Sequence, residues 1–185
     1  MRHILVDWMI SLCSSYSLND LTLHLSVAIL DKFLFLWTMK MTRKRLQCAG
    51  IASVYIASKV EEEFSPSLQE LTWICDNAYT EKEIIDMESE ILSTLKYDVM
   101  IDTLRNYVST ADYPSDIIFS LDCILLNTDI LYGYDNDEII ESCVEAYTKS
   151  GTYWSRCIDD ILKYKKSIKS KQYKEFPELK KKFKI

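Results

Sequence analysis

The stretch Leu46–Glu63, LQCAGIASVYIASKVEEE, decides the fold of this 185-residue chain. From Cys48 to Ser58 every residue is apolar or small, which fits neither the alternation of a half-buried strand nor a single apolar stripe. A run of eleven such residues is too long for a typical strand and too short to span a bilayer. The stretch therefore predicts a helix buried on all sides, which ends in the charged segment Lys59–Glu63.

The composition points to a helical protein with an acidic body. Apolar residues make up 48% of the chain, which is enough for a core, and three glycines with three prolines argue against the many turns of an all-β fold. The net charge of −6 is uneven, because Lys163–Ile185 carries +8 and the rest of the chain −14. The acidic body argues against a nucleic-acid partner, while the basic tail is compatible with nucleic acid, acidic protein or solvent.

The six cysteines have no CxxC spacing, and several fall inside apolar helical patterns. This spacing predicts reduced, buried thiols. The sequence shows no signal peptide and no apolar run of 18 residues, so we expect an intracellular protein without a membrane partner. We therefore expect the protein in the nucleus, the cytoplasm or both.

Sequence motifs for catalysis, metals and cofactors are absent. No HExxH, GxSxG, GxGxxG or P-loop spacing occurs, and both histidines lie early in the chain. We therefore expect no catalytic residues, no metal, no cofactor and no enzymatic activity.

Periodicity and capping signals predict an all-α fold with five helices in the first hundred residues. They run over about 1–14, 20–36, 43–65, 68–75 and 81–95, with N-caps at Asn19 or Asp20, Thr42, Ser67 and Thr80, and Pro66 ends the third. About four more follow: from Asp102 to Ala111, from near Pro114 to Leu131, from Asp135 to about Gly151, and from Thr152 to about Ile168. The predicted domains are residues 1–100 and 101–168, before a basic tail at 169–185.

Three stretches resemble the cyclin box. Met1–Trp8, MRHILVDW, resembles its MRxILVDW opening, and His24–Leu34, HLSVAILDKFL, its HLxVxxLDRFL helix. Leu46–Gly50 with Ala57–Glu62 resembles its LQxxG…ASKxEE core helix. The likeness covers residues 1 to about 99 and is greatest to mitotic A/B-type cyclins. It implies a fold of two stacked helical repeats, the second shortened, and a regulatory subunit that binds and activates a cyclin-dependent protein kinase in cell-cycle control.

The resemblance also implies two binding surfaces. Kinase-binding residues would be the charged pair Lys59 and Glu88 with the apolar Phe64, Leu92, Tyr97 and Val99. Taken alone, the charged pair is typical of solvated helix surfaces and the apolar residues of a core. A patch that docks arginine-x-leucine segments of substrates or inhibitors would comprise Met1, Ile4, Leu5, Trp8, Arg43 and Gln47. Its stripe on the first helix is equally typical of a core.

The sequence also departs from the family pattern. The sequence given begins at the box itself, so we expect the family's preceding helix to be absent. Ser11 stands where the docking patch has an acid, and we expect the second repeat to be one helix short between Tyr147 and Thr152. A cyclin box with fewer helices would be typical of a truncated, viral or compact-genome cyclin. An adaptor or decoy that binds kinase or docking motifs without activation is the alternative, and a DNA-binding cyclin fold has support only from the basic tail.

Overall fold

The structure is a computed structural model that describes residues 1–108, 113–148 and Lys163. The described residues form helices and no strand, so the all-α prediction is confirmed. The α-helices are α1 (Arg2–Ser15), α2 (Asp20–Leu36), α3 (Arg43–Glu61), α4 (Leu68–Ile74), α5 (Glu81–Thr94), α6 (Ser115–Leu125), α7 (Thr128–Leu131) and α8 (Asn136–Thr148). A 3-10 helix spans Leu104–Tyr107. Within these ranges, no helix is both long and apolar enough to cross a membrane.

The chain divides into two compact units. One is Trp8–Asp102, and the other joins Met1–Asp7 to the chain from Thr103 onward. The predicted domain boundaries stay predictions. The predicted helix from Thr152 to Ile168, its neighbour Gly151 and the basic tail lie outside the described residues, apart from Lys163.

Helix α3 is the buried rod that its sequence predicts. Between Cys48 and Ser58 every residue is buried except Tyr55, which is half-buried, and the helix packs against α2 and α5. Thr42 caps it as predicted, with its hydroxyl accepting a hydrogen bond from the Arg45 amide at 3.2 Å. The helix ends at Glu61 rather than at Pro66, because Glu62 already has an extended backbone.

Local capping chemistry positions the helices around α3. Asn19 caps α2 through a bond from the Leu21 amide to its side chain. Both predicted capping boxes are confirmed, at α4 and α5. In the second, the Glu83 amide donates to the Thr80 hydroxyl at 3.2 Å and the Thr80 amide to the Glu83 carboxylate at 2.8 Å.

The second half of the chain corrects two predictions. The helix expected after Asp102 begins one residue later, and of its described part only a four-residue 3-10 helix forms, with the Asn106 side chain accepting from the Thr103 amide at 2.7 Å. The long helix expected up to Leu131 is broken at Asn127, whose side chain caps the short α7. Asparagine favours a cap over a helix interior, which explains the break.

The unit that contains α6 to α8 has its own apolar core. Its buried members include Leu104, Ile117, Leu121, Ile124, Ile139 and Cys143. Arg2 donates to the Leu125 carbonyl at 2.7 Å, so the first turn of α1 is tied to the end of α6. At Gly133 any side chain would clash with the Asp129 carbonyl, so the turn after α7 requires glycine.

We expect Thr80→Ala to lower the free energy of unfolding by about 1 kcal/mol at neutral pH, because α5 loses a cap. Hydrogen bonds from Thr80 hold the pKa of the Glu83 carboxyl below its ordinary value of 4.5. A carboxylate with a lowered folded-state pKa stabilises the fold above its unfolded-state pKa, and that stability is lost as the pH falls through the folded-state value.

Urea unfolding at pH 7 and pH 3 measures this dependence. The cost of Thr80→Ala should be smaller at pH 3, and the exposed Thr38→Ala should cost little at either pH. An equal cost of Thr80→Ala at both pH values would contradict the role given to Glu83.

Candidate protein-binding site

The last turn of α3 and the middle of α5 bring the predicted charged pair together. The Lys59 ammonium is ion-paired with the Glu88 carboxylate, and their side chains are 38% and 12% exposed. The Lys59 nitrogen also lies 4.0 Å from the ring centroid of Tyr55, one turn earlier on α3. Lysine has three donors, so a lysine at this exposure keeps donors for a further acceptor.

The predicted apolar residues differ in exposure. Phe64 and Tyr97 are 83% and 72% exposed, whereas Leu92 and Val99 are half-buried. The Tyr97 amide donates to the Leu92 carbonyl at 2.8 Å, because Lys96 and Tyr97 turn the chain in left-handed backbone conformations at the end of α5. Large aromatic side chains left in solvent are available to pack against another protein.

An ion pair fixes the segment after Tyr97. Lys32 on α2 contacts the Asp98 carboxylate at 2.7 Å and its carbonyl at 3.1 Å. This contact holds the backbone between Tyr97 and Val99 against α2, so the position of this segment depends on two helices, α2 and α5. That all six predicted residues form one binding face stays a prediction.

Glu62 is a structural residue that the sequence analysis missed. Its carboxylate accepts from the Asn19 amide at 2.6 Å and from the Thr22 hydroxyl, so it holds the N-terminus of α2 to the end of α3. The signal was its position, because an acid at a helix C-terminus is unfavourable unless another group compensates it. The positive N-terminal end of α2 supplies that compensation.

The six predicted docking residues differ in exposure. Ile4 and Met1 are 57% and 55% exposed, Arg43 is exposed, and Trp8 and Gln47 are half-buried. Leu5 is buried at 7% exposure, so in this structure its side chain packs in the interior. Ile4, Leu5 and Trp8 lie in the first two turns of α1, and Met1 immediately precedes the helix. The patch as a whole stays a prediction.

A cleft of about 420 Å³ lies between the N-terminal half of α3 and α5. Lys44 and Glu83 contact each other across it at 3.4 Å, and Cys48 and Tyr79 contribute to its wall. Burial, with a smaller contribution from Glu83, raises the pKa of Cys48 to about 11, and burial raises the pKa of Tyr79 to about 12. Both groups are therefore protonated at neutral pH and suited to packing and hydrogen bonding.

The five described cysteines are buried thiols, and within the described ranges no cluster of histidine, cysteine, aspartate or glutamate could hold a metal ion. The chain is thus a helical protein whose central helix ends in a charged, aromatic-rich surface, and exposed apolar side chains of this kind are typical of protein-interaction sites.

The family model "Cyclin, N-terminal domain" matches residues 1–100, more than half of the chain. The chain therefore belongs to the cyclin family, as the resemblance of its three motifs predicted.

Several relatives of the chain are mitotic cyclins. The chain is 44% identical over 99 residues to G2/mitotic-specific cyclin-B2 of Macaca fascicularis. The aligned region covers 54% of this chain and 24% of that protein. It is 32% identical over 177 residues to G2/mitotic-specific cyclin-A of Hydra viridissima, which covers 86% of this chain and 40% of that protein. The chain thus spans well under half the length of these relatives.

A solved structure extends the likeness to nearly the whole chain. The viral cyclin from Herpesvirus saimiri matches with a TM-score of 0.67 and 25% identity, covering 97% of this chain and 82% of the viral one. The predicted cyclin fold is therefore confirmed.

We expect Glu62→Ala to lower the free energy of unfolding by about 1–3 kcal/mol, because the amide of Asn19 and the hydroxyl of Thr22 lose a charged acceptor. The adjacent Glu63→Ala, at an exposed position, is the matched control and should change stability little. Urea denaturation of the two variants makes the comparison. Equal stability of both would show that the Glu62 contacts contribute nothing net.

Proposed function

We propose that this chain is a regulatory subunit that binds and activates a cyclin-dependent protein kinase and helps to recruit its substrates in cell-cycle control. The observation that carries the proposal is the Lys59–Glu88 pair at the end of α3, in a chain of the cyclin family. The mitotic names of its relatives support the cell-cycle role. A protein in this role acts in the nucleus, the cytoplasm or both.

The kinase-binding face comprises the charged pair with Phe64, Leu92, Tyr97 and Val99. Lys59 offers donors to backbone or side-chain acceptors of a kinase helix, and Glu88 offers a carboxylate to its donors. Phe64 and Tyr97 supply exposed aromatic area of the kind that dominates interface energetics. A rigid base suits this task, because α3 is anchored along its length.

Activation follows from differential affinity. A partner that binds the active arrangement of a kinase more tightly than the inactive one shifts the population towards the active state. The kinase then places its own lysine–glutamate pair for phosphoryl transfer. The chain itself contributes binding energy and no reacting group.

We expect Lys59→Ala with Glu88→Ala to weaken kinase binding more than tenfold, since both charged contacts are lost. The control is Glu81→Ala with Lys82→Ala, which removes the same charges from exposed positions in the first turn of α5. Binding is measured by calorimetry against a panel of purified cyclin-dependent kinases, after circular dichroism confirms folding. Unchanged binding by a folded double variant would refute the contact assignment.

The same panel separates activation from simple capture. Phosphorylation of a histone-type substrate should rise when the chain is added to its kinase partner. Binding without a gain in phosphorylation would support the adaptor or decoy instead.

For the docking patch of Met1, Ile4, Leu5, Trp8, Arg43 and Gln47, we expect Ile4→Ser to weaken binding of an arginine-x-leucine peptide at least severalfold. Ile4 is 57% exposed, so its replacement removes apolar contact area at little cost in stability. The control is Ile85→Ser on α5, where an isoleucine is 42% exposed outside both predicted surfaces. Fluorescence anisotropy of a labelled peptide reports the affinity. Equal affinities of the two variants would contradict a docking role for Ile4.

A further inference from the structure

Tyr55 is the one partly exposed residue in the buried stretch of α3. From Cys48 to Ser58 it alone is not fully buried, and its ring faces the lysine one helical turn later. The Lys59 nitrogen lies 4.0 Å from the ring centroid, well inside the distance of about 6 Å at which a cation is attracted to an aromatic face.

This contact is the shortest of its kind among the described residues. Arg45 lies 4.7 Å from the Trp37 ring, and Lys44 lies 5.5 Å from the Tyr79 ring. Within the described part of the chain the Tyr55 hydroxyl takes part in no hydrogen bond; only its carbonyl accepts, from the Ser58 hydroxyl at 2.9 Å. The aromatic face of Tyr55, rather than its hydroxyl, therefore makes the contact with Lys59.

We propose that Tyr55 is a positioning residue that holds Lys59 ready for the kinase; this inference rests on the proposed function. Lysine has a long, flexible side chain, and an interface that fixes it loses that conformational freedom. In the unbound chain the Tyr55 ring and the Glu88 carboxylate already hold the ammonium, so much of the side-chain entropy of Lys59 is lost before the kinase binds. Binding itself then costs less entropy. Glu88 and the Tyr55 ring contact the ammonium and leave part of it exposed for a kinase acceptor.

A double-mutant cycle on kinase binding tests whether Tyr55 acts through Lys59. We expect Tyr55→Leu to weaken kinase binding about two- to fivefold, which corresponds to the loss of an exposed cation–π contact. Tyr55→Phe keeps the ring and should bind as the unaltered chain does. In a background that carries both Lys59→Met and Glu88→Gln, which leaves no buried charge without a partner, Tyr55→Leu should have no further effect. Equal losses in both backgrounds would overturn the proposal, because Tyr55 would then act through the core or by direct contact.

The control for ring removal is Trp37→Leu. It deletes the ring that Arg45 contacts, outside the proposed kinase-binding face, and should leave kinase affinity unchanged. If Trp37→Leu weakened binding as much as Tyr55→Leu does, the effect would be one of general stability and the proposal would fail.

A second measurement needs no kinase. Limited acylation with an amine-reactive acetyl ester, read by mass spectrometry, compares Lys59 with the exposed Lys40 in the same chain. Tyr55→Leu should raise the relative labelling of Lys59 at least twofold, and Tyr55→Phe should not. Unchanged labelling in Tyr55→Leu would overturn the positioning role. Failure of the unaltered chain to bind any kinase would refute the proposed function instead, and the labelling would still decide the Tyr55 contact.

Discussion

The burial of α3 on all sides is the constraint on which the rest of the structure depends. Its side chains from Cys48 to Ser58 fill the space between α2 and α5, so along this length only the partly exposed Tyr55 is open to a partner. A helix buried in this way presents chemistry only at its ends and at any gap in its packing. The C-terminal end carries Lys59 and Glu62, and the gap is Tyr55.

The C-terminal end of α3 also has an electrostatic problem, because three acids follow one another where the helix dipole is already negative. Two features of the structure reduce this unfavourable concentration of negative charge. Glu62 bonds to the positive N-terminal end of α2, and Lys59 supplies a cation within the last turn. The contacts that stabilise this helix end therefore lie beside Lys59, whose own position is held by Glu88 and the Tyr55 ring.

Sequence reasoning succeeded where the signal was local. Burial of α3 followed from its uniform composition, and the caps at Thr42, Ser67 and Thr80 followed from spacing alone. It failed at Asn127, because apolar periodicity continues through Leu125 and Thr128 and hides the break. It missed Glu62, whose partner Asn19 lies 43 positions away in sequence. Long-range pairings of this kind carry no short-range pattern. The family motif singled out Lys59 and Glu88, but only the structure shows that they contact each other.

The Lys59–Glu88 contact has a further consequence for recognition. Glu88 is only 12% exposed, and a carboxylate this close to the interior is costly to leave without a cation. Each charge therefore lowers the desolvation cost of the other before any partner arrives. Glu88 is already largely shielded from water, whereas the 38% exposed Lys59 stays partly hydrated. Under the proposed function, a kinase that contacted both would therefore have a smaller desolvation cost left than at an isolated surface lysine. This also explains why the two charges are best removed together, since Lys59→Ala alone would leave Glu88 half-buried and uncompensated, mixing a folding defect with a binding defect.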